Sequence, residues 1–202
     1  MINENITSIV AKIRELEKQL EEELNARQQA LSYQLRGHHV RFARAVRRLH
    51  RRQKISLLRY LREARPAHIL TAPVIYSLVV PFALLDLMVV IYQHTCFRVY
   101  GIPRVRRADY VIIDRHQLAY LNAIEKLNCV YCGYGNGVIA FVREVAARTE
   151  QYWCPIKHAS RVLEPHSRFS HFMDYGDPEA WRKELDKIRH RFDDLAQDPP
   201  QD

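Results

Sequence analysis

Apolar residues in the first part of the chain recur at spacings of three and four. Ile6, Ile9, Ile13, Leu16 and Leu20, separated by Glu and Lys, predict an amphipathic helix over residues 1–35. Its seam holds for about two heptads before Glu23 and Arg27 occupy the next seam positions, so a short coiled coil and a helix packed on its own chain both stay open. The helical period continues through residues 36–66, where Phe42, Val46, Leu49, Leu57, Leu58 and Leu61 form an intermittent apolar stripe. Next comes ILTAPVIYSLVVPFALLDLMVVIY, residues 69–92, with no Lys or Arg and one acid, Asp86. This predicts a membrane segment over residues 67–93, since a straight helix rising ~1.5 Å per residue would cover a hydrocarbon core of ~30 Å. Pro81 and Asp86 interrupt that simple picture: proline removes a backbone donor, and a carboxylate at mid-depth is costly unless protonated or paired.

Past residue 93 the pattern is mixed. Residues 110–113 read as a short strand and residues 118–127 as a short helix. Residues 138–152 read as a helix burying Val138, Phe141, Val142, Val145 and Tyr152. That helix should stop near Trp153, because Pro155 disfavours helical geometry at Cys154, and a second helix could start with Cys154 as its N-cap. Asp177-Pro178-Glu179 is a helix start, and Trp181, Leu185, Ile188, Phe192 and Leu195 mark the buried face that follows. The predicted fold class is mainly α. A basic helix (residues 36–66) leads to the membrane segment, then to a small metal-stabilised domain (94–176), an amphipathic helix (177–196) and a disordered tail (197–202).

Charge sharpens this reading. The chain carries 31 Lys and Arg against 23 Asp and Glu, a formal charge of +8. Between residues 36 and 65 the cations face a single acid, Glu63, which suits a polyanionic partner. Arg41, Arg44, Arg47, Arg48, Arg51 and Arg52 are the candidate contacts to anionic lipid, each adding ~1 kcal/mol near a membrane surface; nucleic acid could use the same charges. Arg98, Arg104, Arg106 and Arg107 make the far flank of the apolar segment basic as well. Both flanks then belong on the cytoplasmic side, which favours a hairpin bent at Pro81 over a single span. No secretory signal precedes the four cysteines, so the thiols are read as reduced.

Cys129-Val-Tyr-Cys132 is a C-x2-C pair, and Cys154-Pro-Ile-Lys-His158 adds C-x3-H. Together they predict a tetrahedral, structural zinc site, with each pair supplying two ligands from one tight piece of backbone. In that reading Gly133, Gly135 and Gly137 form a knuckle loop. Iron or an iron–sulfur cluster is the alternative cofactor, and Cys96 the alternative ligand; an inert buried set or a redox pair are the bland alternatives. Asp109, Asp114, His116, Glu144 and Glu150 could assemble a second polar site, although surface ion pairs would also account for them.

The segments NCVYCGYGNG and RTEQYWCPIKHA, within about residues 75–160, resemble a group of uncharacterised bacterial proteins sharing a C-x-Y-C…W-C-P-x-K-H signature. The resemblance implies a bacterial module, here placed on the cytoplasmic face of the inner membrane, and it implies no activity or substrate. Three functions are compatible with these residues. The first is a zinc-stabilised, membrane-associated interaction or assembly protein with a protein partner or a second copy of itself. The others are a monotopic enzyme acting on a lipid-linked or phosphorylated substrate and a basic nucleic-acid binder.

Overall fold

A computed structural model describes residues 12–13, 15–23, 26, 33–36 and 39–197. The protein is mainly helical. Residues 15–23 form helix α1, on which Leu16 and Leu20 are exposed. The seam positions Ile6, Ile9 and Arg27, with the rest of the predicted 1–35 helix, lie outside the described residues, as does the predicted tail beyond Gln197.

The basic region is not one long helix. Tyr33–Arg36 (β1) pairs antiparallel with His39–Phe42 (β2), followed by α2 (Arg44–Arg52) and α3 (Leu57–Glu63). Local chemistry explains the breaks. Tyr33, Val40 and Phe42 suit a strand on either side of Gly37. Ser56 supplies a new N-cap by accepting from the Arg59 N–H at 3.4 Å, and Pro66 holds Arg65 in extended backbone. His50 of α2 sits edge-on between Phe42 and Tyr120, with ring centroids 5.0 and 5.3 Å away.

The apolar segment does not fold back on itself. Helices α4 (Pro66–Ser77) and α5 (Val79–Tyr92) are separated only by Leu78, which keeps helical geometry, and a π-helical turn (Gln93–Phe97) leads into α6 (Arg98–Tyr100). The result is a continuous helical stretch of 35 residues, long and apolar enough to cross a membrane. The expected bend at Pro81 is absent for a local reason. Leu78 makes a tighter bond to the Ile75 carbonyl, which places Pro81 in the first turn of α5, where its missing N–H costs little. Gly101, at φ 68°, ends the stretch in the left-handed conformation.

The chain then returns as an irregular segment, residues 102–122, with 3-10 turns at Arg107–Asp109 and Arg115–Gln117 in place of the expected strand at 110–113. Helix α7 (Ala123–Trp153) follows and runs for 31 residues. It starts at a capping box, in which Asn122 Oδ1 accepts from the Glu125 N–H at 3.0 Å and Glu125 Oε2 accepts from the Asn122 N–H at 2.7 Å. It ends at Trp153, as Pro155 requires.

Contacts fix the direction of these pieces. Tyr76 donates to Asn128 Oδ1, Tyr131 donates to the Ile75 carbonyl (2.8 Å), Tyr134 meets Asp86 (3.1 Å), and Tyr92 meets Thr149 (3.0 Å). Residue numbers rise together, so α4–α5 and α7 are parallel, and tyrosine hydroxyls form a polar ladder along an otherwise apolar contact. The return segment runs the opposite way against α7, with Tyr110 and Val111 at Gly137 and Ile112 at Gly133.

Three glycines make this close approach possible. A Cβ on Gly137 would lie 2.7 Å from Val111 Cα and 2.8 Å from the Tyr110 carbonyl oxygen; on Gly133 it would lie 3.1 Å from the Ile112 carbonyl oxygen. On Gly135 it would meet the Phe82 ring of α5 at 3.0 Å. Two faces of α7 are thus bare where neighbours press on them.

Phe97, Ile102, Val105, Phe141, Val145 and Phe192 form the core, where the π turn, the return segment and the second half of α7 meet. Val138 is also fully buried, while Val142 and Tyr152 pack at the margin of the core. Helix α8 (Pro178–Arg189) begins as the sequence indicates, with Asp177 Oδ1 accepting from the N–H groups of Glu179 (3.1 Å) and Ala180 (2.9 Å).

Candidate functional site

Helices α4 and α5 have two unlike faces. Leu70, Val74, Val80, Leu84, Leu87 and Met88 are exposed, between 56% and 81% of their full area, so one face is a long apolar surface that no other element among the described residues covers. The other face, through Tyr76, Phe82 and Tyr92, is held by α7.

Asp86 belongs to the held face and is 8% exposed. Arg107 of the return segment grips it with both arms of its guanidinium, Nε to Oδ1 at 2.8 Å and Nη2 to Oδ2 at 2.7 Å, and Tyr134 donates to Oδ2 at 3.1 Å. A carboxylate that looked anomalous in the apolar run is therefore paired and hydrogen-bonded. It ties three parts of the chain together.

The second half of α7 carries further buried polar networks. Glu144 and Arg148, each 8% exposed, bond at 2.8 Å; Ser167 donates to Glu144 Oε2 at 2.6 Å, and Arg148 Nη1 donates to the Pro103 carbonyl at 2.9 Å. Arg168, 2% exposed, bonds Gln151 Oε1 at 2.5 Å and both oxygens of Asp194 at 2.5 and 3.0 Å, with the Phe192 ring below its guanidinium. Gln151 in turn donates to the Ile188 and Arg191 carbonyls at 2.9 and 2.7 Å. Arg168 pulls the Asp194 carboxyl below the usual carboxylate range. Burial, then the Arg168 charge, pushes His171 down.

The five acids and histidines expected to share one polar site are dispersed. Glu144 belongs to the Arg148 and Ser167 network, and Glu150 Oε2 faces His166 Nε2 at 3.0 Å. Asp109 meets Arg106 on the surface at 3.6 Å, while Asp114 precedes the Arg115–Gln117 3-10 turn and His116 lies within it. Each of the first three has its own structural partner.

The four expected zinc ligands do not converge. Cys129 and Cys132 lie inside α7, and Cys154 lies just past its other end. The 22 residue steps from Cys132 to Cys154 span about 33 Å at ~1.5 Å per residue, far beyond the ~2.3 Å reach of a zinc–thiolate bond. Cys154 is the C-cap of α7 and not the N-cap of a second helix, and His158 stacks on Phe169, with centroids 6.4 Å apart. Cys96 lies in the π turn, and among the described residues no three His, Cys, Asp or Glu are grouped to hold a metal. The donor set does not fit zinc or an iron–sulfur cluster. The glycines that resemble a metal knuckle in sequence keep negative φ inside α7.

Of the expected lipid contacts, Arg44, Arg47, Arg48, Arg51 and Arg52 are exposed on α2, and Arg41 lies in β2. No protein-family model, curated protein or solved structure matches the chain. Sequence reasoning named Arg107 only as a flanking cation and gave no role to Tyr134, Ser167, Arg168 and Asp194; the partners of all five are 17 to 48 residues away along the chain. Asp86 was the one signal available, since an acid in an apolar run demands a partner.

Proposed function

We propose that the protein is a monotopic, membrane-associated interaction or assembly protein that lays the apolar face of α4–α5 into an anionic membrane surface. The observation that carries this reading is the two-faced helix itself. One face is apolar and uncovered, and the other is held along its length by α7 and by a cation-rich return segment. A transmembrane orientation would drag that partner layer into hydrocarbon. Arg104, Arg106, Asp109 and Arg115 are exposed on it, and Arg107 binds Asp86 within the apolar run. Such charges cost several kcal/mol each, on the order of 3, at the centre of a bilayer. An in-plane helix keeps them in water.

The basic flanks favour the cytoplasmic side of the inner membrane for this face, and the exposed arginines of α2 would add attraction to anionic lipid. Leu16 and Leu20, exposed on α1, offer a short seam to a protein partner or a second copy. The metal plays no part in this reading, because α7 keeps the ligand pairs apart.

Vesicle flotation of the full chain tests it. Wild type should float with phosphatidylcholine vesicles and more strongly with vesicles containing anionic lipid. Leu84→Asp with Met88→Asp should cut partitioning at least about tenfold while leaving the helical circular-dichroism signal unchanged. Unchanged flotation of that variant would overturn the reading. An impermeant thiol reagent that reached a cysteine introduced near Gly176 from outside intact cells would reject the cytoplasmic assignment.

A further inference from the structure

The apolar helix ends in an unusual way. The π turn Gln93–Phe97 widens the backbone at the point where the apolar run stops, a device frequent at functional positions. Gln93 is 2% exposed, and its side chain grips the return segment: Oε1 accepts from the Val105 N–H at 3.0 Å, and Nε2 donates to the Val105 carbonyl at 3.4 Å. Val105 is buried, while Arg104 and Arg106 on either side of it are exposed. Beside them lies a cavity of about 480 Å³, lined by Gln93, His94, Arg104, Val105 and Arg106. That volume falls within the range of ligand pockets.

The chemistry of the lining is one-sided. The lining residues include two arginines and a histidine and no Asp or Glu. Arg106 has only a long contact with Asp109, 3.6 Å between side chains more than half exposed, and among the described residues no carboxylate pairs with Arg104. His94 directs Nδ1 to the Val90 carbonyl at 2.7 Å, which fixes the ring and leaves Nε2 without a backbone partner. Guanidinium forks match the oxygen geometry of phosphate, and a buried amide that fixes the backbone between them pre-sets their spacing.

We propose that this cavity is a phosphate-binding site, and that its ligand is a phosphomonoester, either the headgroup of an anionic lipid or a soluble phosphate ester. With the α4–α5 face inserted in the membrane plane, Arg104 and Arg106 stay on its water side, where a lipid headgroup or a soluble ester could reach them, so the lipid source rests on the membrane reading above; the phosphate chemistry does not. The site is distinct from the arginines of α2, which lie on a separate helix.

The test compares full-length wild type with Arg104→Gln/Arg106→Gln and with a control, Arg182→Gln/Lys187→Gln, that removes the same charge from exposed positions on α8. Binding is measured to phosphatidylcholine vesicles with and without phosphatidate, and separately to inorganic phosphate and glycerol phosphate by titration. The pocket variant should bind phosphatidate vesicles about 30-fold more weakly, keep its binding to phosphatidylcholine alone, and lose the response to inorganic phosphate. The control should stay within about threefold of wild type. Competition by millimolar glycerol phosphate would identify a soluble ester as sufficient, and its failure to compete would identify the lipid. Equal losses in pocket and control variants, or none in either, would overturn the site. If wild type floated with no vesicle, the membrane reading would fall, and the pocket would then stand or fall on whether wild type binds inorganic phosphate and the Arg104/Arg106 variant does not.

Discussion

Gly137→Ala is expected to destabilise the protein, whereas Gly135→Ala is expected to be close to neutral. Both residues sit inside α7, so each substitution gains about 1 kcal/mol of helix propensity. What opposes the gain differs. The new Cβ at residue 137 would lie 2.7 Å from Val111 Cα and 2.8 Å from the Tyr110 carbonyl oxygen, both backbone atoms of a separate segment. Backbone cannot rotate away, so the return segment must shift, at a cost of about 2–3 kcal/mol for overpacking. The net expectation is a loss of about 1–2 kcal/mol, or roughly 2–8 °C in melting temperature for a chain of this size. At residue 135 the nearest atoms belong to the Phe82 ring at 3.0 and 3.3 Å, which can tilt, so the two effects should cancel to within about 0.5 kcal/mol. Urea denaturation followed by circular dichroism in mild detergent measures both. A Gly137→Ala chain as stable as Gly135→Ala would refute the packing of the return segment on α7. Large losses at both positions would point back to a knuckle loop that needs glycine geometry.

Removing one partner of the Asp86–Arg107 pair, by Asp86→Asn or Arg107→Gln, should cost about 1–3 kcal/mol, discounted because Arg107 is 41% exposed. The double variant should lose less than the sum of the two, as a double-mutant cycle of denaturation midpoints would read; strict additivity would mean the pair does not form. Serine at Cys132 or Cys154, both exposed, should change stability by no more than about 0.5 kcal/mol, and EDTA should leave the melting temperature unmoved. A chelator-dependent drop would restore the metal site. Acidification from neutral pH should lower stability steadily. His171 is held below its ordinary value, mainly by burial, so its contribution is complete above about pH 6.5 and is lost as pH falls through its lowered folded value. Asp194, held low by Arg168, adds a second loss below about pH 4. Melting temperatures from pH 8 to 3 check the sign, and a maximum near pH 5 would contradict it.

Several elements were legible from local residue order alone. The apolar helix follows from the run around residues 69–92, which holds no Lys or Arg and one acid. The end of α7 at Trp153 follows from Pro155, and the start of α8 follows from Asp177-Pro178. These depend on backbone sterics and hydrogen bonding within a few residues, which a sequence states directly. The breaks near Ser56 and Pro66 were legible by the same rules, but the surrounding helical period masked them.

Tertiary packing decided the rest. Gly133, Gly135 and Gly137 between cysteines carry the same letters in a metal knuckle and in a helix that must pass close to its neighbours. Only the presence of Phe82 and of residues 110–112 against α7 distinguishes the two. Pro81 could likewise reverse a chain or sit harmlessly in a first turn, and the bond from Leu78 to Ile75 selects the second. Asp86 demanded a partner, but Arg107 and Tyr134 reach it from 21 and 48 residues away. Local order thus set where helices start and stop, because those interactions close within one turn. Which side chains meet depended on how the helices stack, since burial and charge pairing act through space and ignore distance along the chain.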